Sequence, residues 1–153
     1  MSLSISSSAF RDGEKIPARY TCEGLNVSPP LQWGEPPAGT VSFALIVDDP
    51  DAPSGTFTHW VLFNIPVGVR RLDENIPRQE RLQNGAWHGK TDYGTLGYGG
   101  PCPPRGPVHH YRFTIYALDK MLDLKAGTYP KQLLEAMKGR ILAQGQLTGL
   151  YQR

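Results

Sequence analysis

Cysteine is scarce in this chain: Cys22 and Cys102 are the only 2 in 153 residues. They are too few and too far apart for a paired-cysteine metal knuckle or a disulfide framework, so the fold needs neither. A single bridge between them stays open, with two free thiols the favoured reading. Long apolar runs are missing as well; nothing approaches the roughly 18 residues of a membrane helix. The opening Met1-Ser2-Leu3-Ser4-Ile5 has neither the basic flank nor the apolar stretch of a secretory leader. These absences predict a soluble, cytoplasmic protein without integral membrane association. Charge of one sign is also lacking. The net charge is +2 and the 16 basic residues are scattered, with Glu74 and Glu80 among those near Arg70-Arg71 and Arg78 to Arg81, which argues against nucleic acid as a partner. Neither GxxxxGK[ST], HExxH nor GxSxG occurs, so a phosphate loop, a helical zinc pair and a serine nucleophile elbow are all absent. The expectation is a protein that is not an enzyme and carries no cofactor.

What is present is punctuation. The chain holds 17 glycines and 14 prolines, spread between apolar runs instead of gathered in a tract, which suits a β-rich domain with many turns. Its length fits one domain over residues 1–153 with a substantial core. Residues 3–9 alternate weakly and predict a first strand, and Leu31-Gln32-Trp33 predicts a short one between prolines. Val41 to Val47 is apolar on both faces and so predicts a central strand covered on both sides. The one helix signal follows Gly127-Thr128-Tyr129-Pro130, with Leu133, Leu134 and Met137 as its apolar stripe and Gly139 as its stop. Ile141 to Tyr151 alternates again and predicts a last strand.

The stretch from Asp48 to Trp60 carries the chemistry. Asp48-Asp49-Pro50-Asp51-Ala52-Pro53 leaves one strand and turns, and each proline fixes its own φ while holding the preceding residue extended. So stiff a corner can aim a carboxylate, although Asp, Pro, Ser and Gly are also ordinary turn residues. Strict alternation along Phe57 to Ile65 places Phe57, His59, Val61, Phe63 and Ile65 on one face. Along Val108 to Leu118 it places His109, Tyr111, Phe113, Ile115 and Ala117 together and turns His110 away. Between these strands, Asn84 to Gly106 is long, irregular and rich in glycine and proline; its Trp87, Tyr93 and Tyr98 argue for an ordered, functional loop.

Asp49-Pro50-Asp51-Ala52-Pro53 followed by His59-Trp60, together with Gly100-Pro101-Cys102-Pro103-Pro104 followed by His109-His110-Tyr111, resembles the phosphatidylethanolamine-binding protein (PEBP) family. The likeness extends over nearly the whole chain and is greatest to the compact bacterial and archaeal branch of Raf kinase inhibitor-like proteins. It implies a mainly β fold, an antiparallel β-sandwich around a large central sheet with a short C-terminal helix. It also implies a small anion pocket formed by Asp49, His59, Pro101, His109 and Tyr111. The partners it implies are a phosphate-containing or other anionic ligand and a kinase or serine protease, for a monomer or homodimer. Two departures stand out. The Ser54 to Thr58 connection is shorter than in animal members, and His110 takes the place of a usual arginine.

Imidazole and phenol donors suit phosphate oxygens, whereas a bare carboxylate repels them. Asp49 is therefore expected to accept a hydrogen bond from an imidazole, while Asp51 holds the corner's own backbone. The alternative is a metal-dependent hydrolase using Asp49, Asp51, His59 and His109 as ligands.

Overall fold

The computed structural model describes residues 2–153. Its strands are β1 (Ile5–Ser6), β2 (Leu31–Trp33), β3 (Ser42–Asp49), β4 (Phe57–Pro66), β5 (Arg71–Leu72), β6 (Trp87–His88), β7 (His109–Leu118) and β8 (Ile141–Tyr151). Helix α1 spans Pro130–Met137, and a 3-10 turn covers Ala18–Tyr20. The strands form an antiparallel five-stranded sheet, β6-β4-β3-β7-β8, and an antiparallel three-stranded sheet, β1-β2-β5. This is the mainly β, sandwich-like architecture with a short C-terminal helix that the family resemblance implies.

Strand β3 lies at the centre of the large sheet, and its two apolar faces serve two cores. Phe43, Leu45 and Val47 meet Trp33, Leu62, Phe113 and Ile115 between the sheets. Ala44 and Ile46 meet Val61, Phe63, Leu118, Leu133 and Met137 under the helix. Pro130 opens α1 where no backbone donor is needed, and the carbonyl of the Gln132 side chain accepts from the Tyr129 N–H at 3.0 Å. Of the predicted stripe, Leu133 and Met137 are buried, but Leu134 faces outward.

The β8 edge is covered rather than left open to further pairing. Leu3 N–H donates to the Gln144 carbonyl at 2.9 Å, and Ile16 N–H to Leu150 at 2.8 Å. Gly145 permits this crossing: a Cβ there would lie 1.6 Å from the Leu3 carbonyl oxygen. The first strand is shorter than residues 3–9, because the Ser7 hydroxyl accepts from the Ala9 N–H at 3.1 Å and bends the chain away from the sheet.

Two corrections concern the functional end of the molecule. Strict alternation fails in β4. Val47 pairs with Trp60 and Asp48 with Thr58, so His59 is an extra residue with no opposite number, a β-bulge. A second slip, between the Phe43–Ile65 and Leu45–Leu62 pairs, lies beside Asn64, whose φ is 54°. Phe57, Trp60, Leu62 and Ile65 therefore share the Asp49 face, while Val61 and Phe63 join the helix-side core. The second correction is that Cys22 and Cys102 form a disulfide, with Cα atoms 5.4 Å apart. Their loops are also knitted by Cys22 N–H to the Pro101 carbonyl at 3.1 Å and Gly100 N–H to the Asn26 side chain at 2.8 Å. Among the described residues, no helix is long and apolar enough to cross a membrane.

Candidate functional site

The C-terminal end of β3, the N-terminal halves of β4 and β7, and the loop from Tyr93 to Pro104 surround a cavity of about 130 Å³. Asp49, His59, His109 and Tyr111 all line it. Pro101 does not: it is buried behind the rim, with its carbonyl committed to Cys22, and Cys102, Pro103 and Pro104 form the wall instead. Ala52, Pro53, Phe57 and Tyr93 complete the lining. Phe57 could have been found by pairing it with Asp49 across the corner. Tyr93 could not, because no periodic element carries it.

Asp49 stands at the centre, 3% exposed. Its Oδ1 accepts the Asp51 N–H at 2.7 Å, which fixes the corner, and its Oδ2 accepts from His109 Nδ1 at 2.6 Å. The carboxylate also approaches the Tyr111 hydroxyl. Asp49 thus both orients an imidazole and holds the turn. Asp51 has a different job from the one expected of it: its Oδ2 accepts the His110 N–H at 2.8 Å and His110 Nδ1 at 2.7 Å, tying the corner to β7. These hydrogen bonds from His110 hold the exposed Asp51 carboxyl below its ordinary range. On the reverse face of the sheet, Arg112 donates to Asp48 at 2.8 Å.

The bulge turns His59 into the cavity. Its Nδ1–H donates to the Gly99 carbonyl at 2.7 Å, and the Gly99 N–H donates back to the His59 carbonyl at 2.9 Å. Gly99 has to lack a side chain, since a Cβ there would sit 2.6 Å from the Tyr93 ring. Tyr93 then packs edge-on against His59 at 5.5 Å and Phe57 at 4.7 Å between centroids, and its hydroxyl donates to the Gly100 carbonyl at 3.0 Å. Tyr111 meets His59 edge-on at 5.2 Å and stacks along His109 at 6.4 Å.

These contacts fix the protonation chemistry. Both site imidazoles spend Nδ1 on an oxygen acceptor, so each presents Nε2 to the cavity with no protein partner among the described residues. Burial pushes His59 below the ordinary imidazole value, only partly opposed by the Gly99 carbonyl and Asp49. The Tyr111 phenol is pushed up, first by burial and then by the Asp49 charge, so it stays a neutral O–H donor. Tyr93 is raised for the same two reasons. The arrangement offers a phenol donor and two Nε2 positions that become donors on protonation, inside apolar walls. The four metal ligands of the hydrolase alternative are not gathered, because Asp51 turns to His110. Among the described residues, no group of three or more His, Cys, Asp or Glu is placed to hold a metal ion.

The family model for phosphatidylethanolamine-binding proteins matches residues 6–152. A UPF0098 protein of Methanothermobacter thermautotrophicus is 52% identical over 151 residues, covering 99% of each chain. Among solved structures, E. coli YbcL, described as a member of the mammalian PEBP family, superposes with a TM-score of 0.93 at 32% identity over 100% of this chain and 99% of its own. A Chlamydia trachomatis PEBP homologue does so with a TM-score of 0.90 at 38% identity over 99% and 98%.

Proposed function

Because this chain belongs to the phosphatidylethanolamine-binding protein family, we propose that its cavity binds a small anionic group of the phosphate type, as a head group or as the free ion. The observation that carries this reading is the pair of imidazoles with Nδ1 anchored and Nε2 free at one cavity. A phosphate oxygen placed between them finds two N–H donors once the rings are protonated, with the Tyr111 O–H as a third when it turns from Asp49. Asp49 does not spoil the site, since its oxygens are occupied by the Asp51 amide and the His109 ring. Its charge then favours the protonated His59 ring that an anion needs.

Proton uptake therefore accompanies binding. His59 is neutral in the free protein at neutral pH, and an anion beside Nε2 raises its proton affinity, so affinity for the anion rises as pH falls. Size supports a head group rather than a whole lipid: a cavity of about 130 Å³ takes a phosphate and a short substituent. Calorimetric titration with inorganic phosphate tests the reading. Wild type is expected to bind, and His59→Ala is expected to lose about tenfold to a hundredfold in affinity, the value of a charge-assisted hydrogen bond. Equal affinity in the two proteins would remove the proposal.

A further inference from the structure

The disulfide is the one covalent link in the pocket wall, and it is placed unlike a core bridge. Cys22 and Cys102 are both exposed, on irregular loops, 80 residues apart in sequence. Cys102 itself lines the cavity, and the next two residues, Pro103 and Pro104, form the wall beside it. Prolines donate no backbone hydrogen bond, so Pro101, Pro103, Pro104 and Pro107 can tie this segment through their carbonyls alone. On the upstream side, Gly100 is held by Asn26, and the Pro101 carbonyl accepts from Cys22. Downstream, the Pro103 carbonyl accepts from Arg153 at 2.6 Å and the Gly106 carbonyl from Gln152 at 2.7 Å, both in the last two residues of the chain. Between these anchors, among the described residues, Cys102 makes no hydrogen bond of its own, and the bridge is its direct tie.

We infer that the Cys22–Cys102 bridge at the pocket rim is a reversible thiol–disulfide exchange site, opened by a dithiol reductant, whose state sets how firmly the Cys102–Pro104 wall is held. Exposed disulfides are the more readily reduced class, in contrast to buried structural ones. One thiolate of the dithiol attacks a bridge sulfur and displaces the other as thiolate, giving a mixed disulfide. The dithiol's second thiol then displaces the first protein sulfur. Two electrons and two protons pass from the dithiol to the protein, leaving an oxidised dithiol, Cys22–SH and Cys102–SH. The sheet that carries Asp49, His59 and His109 is not crossed by the bridge, so reduction loosens one wall and leaves the imidazoles in place. An anion then meets a cavity that is closed only part of the time, and its apparent affinity falls by that fraction. This last step rests on the anion reading of the pocket; the exchange chemistry and the loosening do not.

The test uses the full chain with and without a dithiol reductant under native conditions. Thiol alkylation followed by mass spectrometry reports the bridge. Hydrogen exchange reports the Cys22 and Gly106 amides, which donate to the Pro101 and Arg153 carbonyls, against those of β3, β4 and β7. Phosphate calorimetry reports the cavity. The expected result is full alkylation without denaturant, faster exchange at the rim amides, unchanged sheet amides, and phosphate binding weakened about fivefold if the wall is closed about one-fifth of the time. A bridge that resists reduction until the protein is denatured overturns the inference. So does reduction that leaves rim exchange unaltered, or that releases the sheet together with the rim. Should the oxidised protein bind no phosphate, the anion reading fails and the exchange measurements still decide this one. A Cys22→Ser, Cys102→Ser double variant should reproduce the reduced pattern and no longer respond to the reductant.

Discussion

His59 and His88 have nearly the same surroundings and different consequences. Both rings are buried, both donate Nδ1–H to a backbone carbonyl, at 2.7 Å to Gly99 and 2.6 Å to Gln79, and burial pushes both below the ordinary imidazole value. They differ at the second nitrogen. His88 Nε2 accepts from the Trp60 indole N–H at 3.0 Å, whereas His59 Nε2 faces the cavity without a protein partner. Trp60 follows His59 in sequence, and the bulge at His59 leaves Trp60 directed into the core between the sheets. One local irregularity thus serves both histidines, turning one to the cavity and supplying the other with its donor. Burial and a lowered proton affinity do not by themselves mark a functional histidine; an unspent nitrogen at a cavity does.

The largest effect should come from the satisfied histidine. His88→Ala leaves the Trp60 indole N–H and the Gln79 carbonyl without partners and opens a void at a fully buried position, so it should cost about 3 kcal/mol in urea denaturation, with phosphate affinity little altered. His59→Ala should show the opposite balance, about 1 kcal/mol of stability against the large loss of binding described above. If both variants lose stability and binding together, the distinction between the two sites is gone.

Next in size is the response to pH. Both rings are held below their unfolded value, so as pH falls the unfolded chain takes up protons first. Their contribution to stability is fully present above about pH 6.5 and is lost as pH falls through the folded-state values. His88→Gln, which keeps polar partners but cannot titrate, should flatten the acid side of the stability profile for its share. A bound anion acts in the other direction at His59 alone, so anion affinity should increase over the range in which stability decreases.

How much of this was legible in the sequence depended on whether the backbone kept its period. Strand β7 runs without a slip from His109 to Ala117, and alternation placed His109 and Tyr111 correctly on one face. Strand β3 showed its central position by being apolar on both sides. In β4 the same bookkeeping put His59 beside Val61, because a one-residue bulge shifts every later side chain and leaves no mark in composition. The corner announced Asp49, but not that its two oxygens serve the turn and His109 separately, nor that Asp51 reaches across to His110. Tyr93, the disulfide and the place of Pro101 behind the rim all arise where loops far apart in sequence meet, and no period extends across that distance. The family resemblance points to Asp49, His59, His109 and Tyr111, which line one cavity, but not to the bonds that relate them.

The smallest effect should be at Asp51. Its pair with His110 is solvent-accessible, with side-chain exposures of 52% for His110 and 40% for Asp51, so solvent screening limits its worth to about 1 kcal/mol at most. Asp51→Asn should keep phosphate affinity within about twofold of wild type, since the Asp49 to His109 bond is made without it. A large loss of binding would mean that the corner, and not Asp49, sets the geometry of the pocket.

Anion binding at the cavity depends most directly on His59 Nε2 taking a proton as the anion arrives. Sulfate is the suitable probe, because its charge does not change over the histidine range. Titration of wild type and His59→Ala with sulfate from about pH 8 to about pH 5, in buffers of different ionisation enthalpy, counts the protons taken up. The prediction is affinity that strengthens as pH falls, with proton uptake in wild type that shrinks in His59→Ala. Affinity that stays flat across this range, or uptake that is the same in both proteins, would contradict it.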